Sequence, residues 1–163
     1  MRPSAPFIVA VLGLSTLIAA VPAGAAGPRL GRTERAIVRA IDRHRADAGL
    51  RALRTSRPLS RAADAHSRDM LAADYFAHSS SNGTSFATRI HRYTRARAVG
   101  ETLAMLSRCR GRRAAHTIVS MWMHSSMHRA ILLTRGYRRV GVALRRGRLG
   151  SRRACVVTAD FAR

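Results

Sequence analysis

Two histidines four residues apart, His124 and His128 in "MWMHSSMHRAIL", are the first residues whose spacing suggests chemistry. On an unbroken helix they share one face, the arrangement with which zinc peptidases hold their metal. Such a peptidase needs a glutamate directly after its first histidine, and that position is Ser125. The pair is therefore not a zincin signature, and each histidine needs other partners. Trp122 and Ser125 take the positions on the apolar stripe, which leaves His124 facing solvent. The serines of "SSSNGTS" are turn formers with no base assigned to them, so they do not supply a nucleophile.

Positioning elements follow from periodicity. "GRTERAIVRAIDRHRADAGL" reads as a helix with Thr33 as cap, Ile37 and Ile41 four apart, and Gly49 as a left-handed stop. A second helix begins after Ser56 and Pro58, with Leu59, Ala62, Ala63, His66 and Met70 on one stripe. His66 thus points inward, as a hydrogen-bonded core residue. Asn82-Gly83 marks a turn before a short helical piece carrying Phe86, Ile90 and Tyr93, and a further helix runs from about Arg113 through Ile118, Met121 and Trp122. The tail changes to a period of two. Val140, Val142 and Leu144, then Cys155, Val157, Ala159 and Phe161, form two alternating runs around an arginine- and glycine-rich loop, residues 145 to 153, as in an antiparallel hairpin. Helices followed by a small antiparallel sheet indicate an α+β domain.

The N-terminus reads as an address. Arg2, a 15-residue apolar run from Phe7 to Val21 and the small residues Ala23-Gly24-Ala25 together make residues 1–25 a secretory signal peptide. That run is shorter than the ~20 apolar residues of a membrane span. Residues 26–31 are then a short N-terminal segment, and 32–163 a single domain. In an exported chain Cys109 and Cys155 are expected to be bridged, the alternative being two buried free thiols. Closing that loop of 46 positions is worth about 4 kcal/mol in the chain-entropy picture.

Thirty basic residues against eight acidic ones give a net charge of +22, and all thirty are arginine. Such a field attracts polyanions in general, including anionic envelope polymers and lipid headgroups. The arginines are spread over the chain, and aromatics make only 5 % of it. That scarcity of stacking platforms weighs against nucleic acid as the partner.

The motifs "HSRDM", "YFAHSS", "GETLA", "MWMHSSMHR" and "YRRVGVAL", in that order, resemble the bacterial branch of the CAP superfamily (cysteine-rich secretory proteins, antigen 5 and pathogenesis-related proteins). The resemblance runs from about Ile37 to Phe161. It implies an α-β-α sandwich around a three-stranded antiparallel sheet, with the third strand near Ala96 to Val99. It also implies a cleft lined by two histidines and two glutamates, which in some members holds a divalent cation such as zinc. By position, the first histidine is His78, the first glutamate Glu101 and the second histidine His128. The second glutamate is replaced by Ser125, the asparagine after the first glutamate by Thr102, and the Pro-Gly before the second histidine by Ser126-Met127.

Two imidazoles and a carboxylate would suffice as protein ligands for zinc, with water as the fourth. Hydrolysis further requires a base, and the missing glutamate is the residue that would serve. Glu101 has a plainer reading as a helix-start residue after Gly100. These features point to a secreted, non-catalytic domain that binds a lipid, peptide or envelope glycan in or near the cleft of His78, Glu101, Ser125 and His128. A metal-dependent hydrolase using His78, Glu101 and His128, and a cationic polyanion- or membrane-binding protein, are the competing readings.

Overall fold

The computed structural model describes residues 30–163, so the expected signal peptide lies outside the described residues. The elements in order are α1 (Arg32–Asp47), β1 (Arg54–Thr55), α2 (Arg57–Ala72), α3 (Phe86–His91), β2 (Val99–Leu106), α4 (Gly111–His124), α5 (Ser126–Leu132), β3 (Arg139–Leu149) and β4 (Arg152–Ala162). The sheet has strand order β1-β3-β4-β2. Three of its strands are antiparallel, as expected, and a two-residue β1 adds a fourth, parallel to β3.

Three boundaries differ from the sequence expectation. The third antiparallel strand starts where the expected one ended, at Val99, and runs on to Leu106. Glu101 is therefore a mid-strand residue opposite Asp160 of β4, not the start of a helix. The β3–β4 hairpin also extends through the arginine-rich stretch, leaving Gly150 and Ser151 outside the strands. Gly150, at φ 57°, makes the tight reversal that two long strands need. Finally, α1 starts after Gly31, and Thr33 is buried in its first turn. Its hydroxyl accepts the Gly111 N–H at 3.0 Å, tying the starts of α1 and α4 together.

Alternation along the strands builds two cores. Val140, Val142, Val157, Ala159 and Phe161 face α1 and α4, packing with Ile37, Ile41, Ile118 and Trp122. The opposite face carries Leu103 and Val156 against Met70 of α2, and Ala162 against Leu59 and Ile90. Buried on both faces, β4 reads as a nearly continuous apolar run, which makes its one acid, Asp160, conspicuous. A Cβ on Gly141, the β3 neighbour of Asp160, would lie 2.1 Å from the Ser60 backbone nitrogen. Only glycine allows α2 to approach the sheet so closely.

Two polar anchors set the α4–α5 corner. The Trp122 indole N–H donates to the Leu103 carbonyl of edge strand β2 at 2.7 Å. Arg45 of α1, fully buried, donates to the carbonyls of Leu132 (2.7 Å), Thr134 (3.2 Å), Tyr137 (3.3 Å) and Arg51 (3.0 Å). Its guanidinium thereby satisfies backbone groups at the end of α5 that the helix itself cannot. Cys109 and Cys155 are joined, as expected.

Candidate functional site

Glu101 is the centre of the site. Its side chain is fully buried, so each carboxylate oxygen needs a donor. Oε1 receives His78 Nδ1 at 2.8 Å, and Oε2 receives the guanidinium of Arg89 from α3. His66 of α2 stands 4.0 Å from Oε2, and its Nε2 donates to the Ala77 carbonyl at 2.9 Å. Burial lowers the His66 pKa, against the pull of the Glu101 charge, and keeps the ring neutral. The sequence assignment of His66 as a hydrogen-bonded core residue matches this placement.

The loop between α2 and α3 holds His78 through a second carboxylate. Asp69 accepts the Ser81 N–H at 2.9 Å and the Ser81 hydroxyl at 2.6 Å, and also the Tyr75 hydroxyl. Against its partial desolvation, these bonds hold the Asp69 carboxyl below its ordinary pKa. Arg89 completes the loop, donating to the His78 carbonyl at 3.1 Å and to Ser80 Oγ at 3.0 Å. One guanidinium therefore orders the loop and neutralises Glu101. With Nδ1 committed to the carboxylate, His78 turns Nε2 outward, on a side chain 47 % exposed.

Asp160 completes the cluster from β4. It is wholly buried and neither carboxyl oxygen has a hydrogen-bond partner. Burial first, and the Glu101 charge second, raise its pKa well above the ordinary carboxylate value. The site thus contains one compensated ion pair, Glu101 with Arg89, and one neutral acid.

Ser125 breaks the helix that sequence periodicity carried through it. Its backbone is extended, at φ −96° and ψ 121°, so α4 stops at His124 and α5 restarts at Ser126. On the far side of that corner, burial, and then the charge of His78, lower the His128 pKa. His128 makes no ion pair with Glu101, whose neighbours are His78, Arg89 and His66. His124 is exposed as expected, with Nδ1 on the Ser120 carbonyl at 2.7 Å, whereas Met121, assigned to the apolar stripe, is also exposed.

The expected metal ligands do not fit a metal centre. Among the described residues no three His, Cys, Asp or Glu side chains are grouped to hold an ion. The physical reason is Arg89, whose fixed positive charge lies on Glu101 and takes one of its oxygens. The second expected glutamate is Ser125 at the corner, and Asp160, the other acid near Glu101, is enclosed.

Sequence reasoning passed over Arg89 and Asp160. Each carried a signal. Arg89 lies three positions after Phe86 and four before Tyr93, on the apolar stripe of its helix. Asp160 is an acid inside "ACVVTADFA", a strand with no other charged residue.

Helices on both faces of a small sheet, with a buried glutamate on edge strand β2 holding a histidine, are the features of a CAP-type domain. Residues 38–161 match the cysteine-rich secretory protein family, CAP, and the chain belongs to it. Solved structures agree. An outer surface protein of Borrelia burgdorferi aligns with a TM-score of 0.67 at 18 % identity, covering 84 % of this chain and 98 % of that one. An extracellular protein of Bacillus anthracis containing an SCP domain gives 0.63 at 21 %, over 84 % of this chain and 45 % of that one. A cysteine-rich secretory protein of Staphylococcus aureus gives 0.59 at 15 %, over 78 % and 37 %. This chain thus spans less than half of the latter two, and at these identities the likeness is one of fold. No curated protein matches the chain.

Proposed function

We propose that the protein is a secreted, non-catalytic CAP domain whose cleft binds a ligand through His78 and His128. The observation that carries this reading is the saturation of Glu101: with both oxygens engaged, it is neither a free base nor a free metal ligand. Its role is to orient His78, leaving Nε2 to accept from, or donate to, a ligand. His128, with its pKa lowered, offers the same ligand a neutral imidazole. Apolar side chains accompany these rings: Phe86 packs edge-on to His78 with centroids 6.2 Å apart, and Phe76 and Met127, their near neighbours in sequence, are exposed. Such a surface suits a lipid or peptide that carries a hydroxyl or amide on an apolar body. Export is supported by the leader-like N-terminus and by extracellular relatives, and no helix among the described residues is long and apolar enough to cross a membrane.

The test is native mass spectrometry of protein purified gently from its own secretion. A co-purifying ligand is expected, and a His78→Ala, His128→Ala double variant should lose it. Uptake of about one zinc equivalent in calorimetry, abolished in that variant, would instead restore the hydrolase reading.

A further inference from the structure

A hollow well removed from His78 and Glu101 lies where the start of α4 meets the far ends of β2, β3 and β4. It encloses about 600 Å³. Leu106, Ala114, Ala154 and the Cys109–Cys155 bridge line it with apolar surface, and five arginines, Arg108, Arg110, Arg113, Arg146 and Arg153, stand around it. All five are exposed, no acid contributes to the lining, and none of the five pairs with a carboxylate among the described residues. A smaller hollow of about 210 Å³ shares Leu106, Ser107, Arg153 and Ala154 with it and adds Met105 and Leu149.

The surplus charge is therefore not uniform in its consequences. Over most of the surface an arginine faces water, where a polyanion would meet it with no shape selection. Here unpaired guanidiniums ring a concave apolar floor, in a volume ordinary for a small-molecule site. Guanidiniums recognise carboxylate and phosphate by paired N–H donors, and the floor rewards removal of an apolar chain from water. Beyond Leu106 the β2 edge ends while β4 continues through Arg152 to Ala154, so the second hollow opens where that edge is unpaired. Head and tail of one ligand would thus both be accommodated.

We propose that this hollow binds a single anionic amphiphile, a lipid with a carboxylate or phosphate head, independently of the histidine cleft. The head lies among the five arginines and the chain runs over the disulfide toward Met105 and Leu149.

The test uses the purified full secreted chain and three probes at physiological salt: a fluorescent long-chain fatty acid, the alcohol of the same chain, and inorganic phosphate. The acid should bind saturably at one site, with the alcohol at least about tenfold weaker for lack of the charge-assisted bonds. An Arg113→Gln, Arg146→Gln double variant should weaken the acid by roughly tenfold or more. Thr117→Trp, at an exposed position in the lining, should block the acid by filling the hollow. Unchanged thermal melts establish that both variants fold. The His78→Ala, His128→Ala variant should bind the acid as the parent does; loss of binding there would assign the amphiphile to the cleft and overturn the proposal. Equal binding of acid and alcohol, full competition by millimolar phosphate, or indifference to the arginine and Thr117 variants would each overturn it as well.

Discussion

The buried Glu101 cluster and the arginine-ringed hollow use the same residue type for opposite ends. Beside His78 a single guanidinium, Arg89, is almost completely buried, and both of its terminal nitrogens are engaged: it neutralises Glu101 and ties down the His78 loop, leaving only Nε without a partner. In the hollow five guanidiniums are exposed and none has a carboxylate partner among the described residues. Burial forces an arginine to be matched, whereas water lets it stay unmatched and therefore open to a ligand. Count alone does not separate the two kinds; enclosure does. Arg45 belongs with Arg89, since it is buried and spends its donors on four carbonyls.

The sharpest break in this contrast comes from Arg89→Met, which keeps much of the volume and removes the charge. Glu101 would be left buried with only His78 as a close partner, and loss of one member of a buried pair typically costs about 3–5 kcal/mol. Chemical denaturation of the parent and variant should show a loss of that order. Adding Glu101→Gln to Arg89→Met should recover a substantial part of it, because the uncompensated charge is then gone. If the double variant is no more stable than Arg89→Met alone, the pair is not what holds this region together.

Asp160 tests the interior from the other side. Its folded-state pKa is raised, so the folded chain holds a proton that the unfolded chain releases above the ordinary carboxylate pKa. The sign follows: stability is drained as pH climbs above about 4 and the drain is absent below it. Asp160→Asn removes the titration, so the variant should melt higher than the parent at pH 7 to 8, by an amount on the order of 1–3 kcal/mol. The gap should close as pH falls toward 4. A gap that stays constant across that range in thermal melts would mean that Asp160 does not carry the extra proton.

These two residues also show where reading the sequence stopped. The α+β class, the antiparallel hairpin of the two C-terminal strands, the inward His66 and the cysteine bridge were all legible, though the register of that hairpin was not. Each follows from period, composition or compartment, which are local or global properties of the string. The meeting of His78 with Glu101 rested on motif resemblance, since they come from a loop and a strand that only the tertiary fold brings together. The identity of the Glu101 partner was not legible. Nothing local says that an arginine twelve residues upstream, rather than a metal ion, will supply the positive charge. The register of β2 was hidden for a related reason: "GETLAML" reads equally as a helix start until the pairing with β4 places Glu101 opposite Asp160.

The smallest effect is expected at the hollow, and its smallness is informative. Arg113→Gln with Arg146→Gln removes two exposed charges that have no carboxylate partner among the described residues, so stability at 0.15 M salt should change by no more than about 0.5 kcal/mol. Any change should be a gain, because a chain with net charge +22 repels itself and loses two units of that repulsion. The gain should grow as salt is lowered, when the Debye length lengthens from about 8 Å toward 30 Å, and should vanish near 1 M. Arg146 introduces the one complication, since its Nε lies 3.3 Å from Cys109 Sγ; the single variants, measured separately, show whether that contact adds a salt-independent loss. A large salt-independent loss from Arg113→Gln would move this residue into the class of Arg89 and Arg45. It would then be a structural cation, and the distinction between matched and open arginines would fail at the place where it matters for ligand binding.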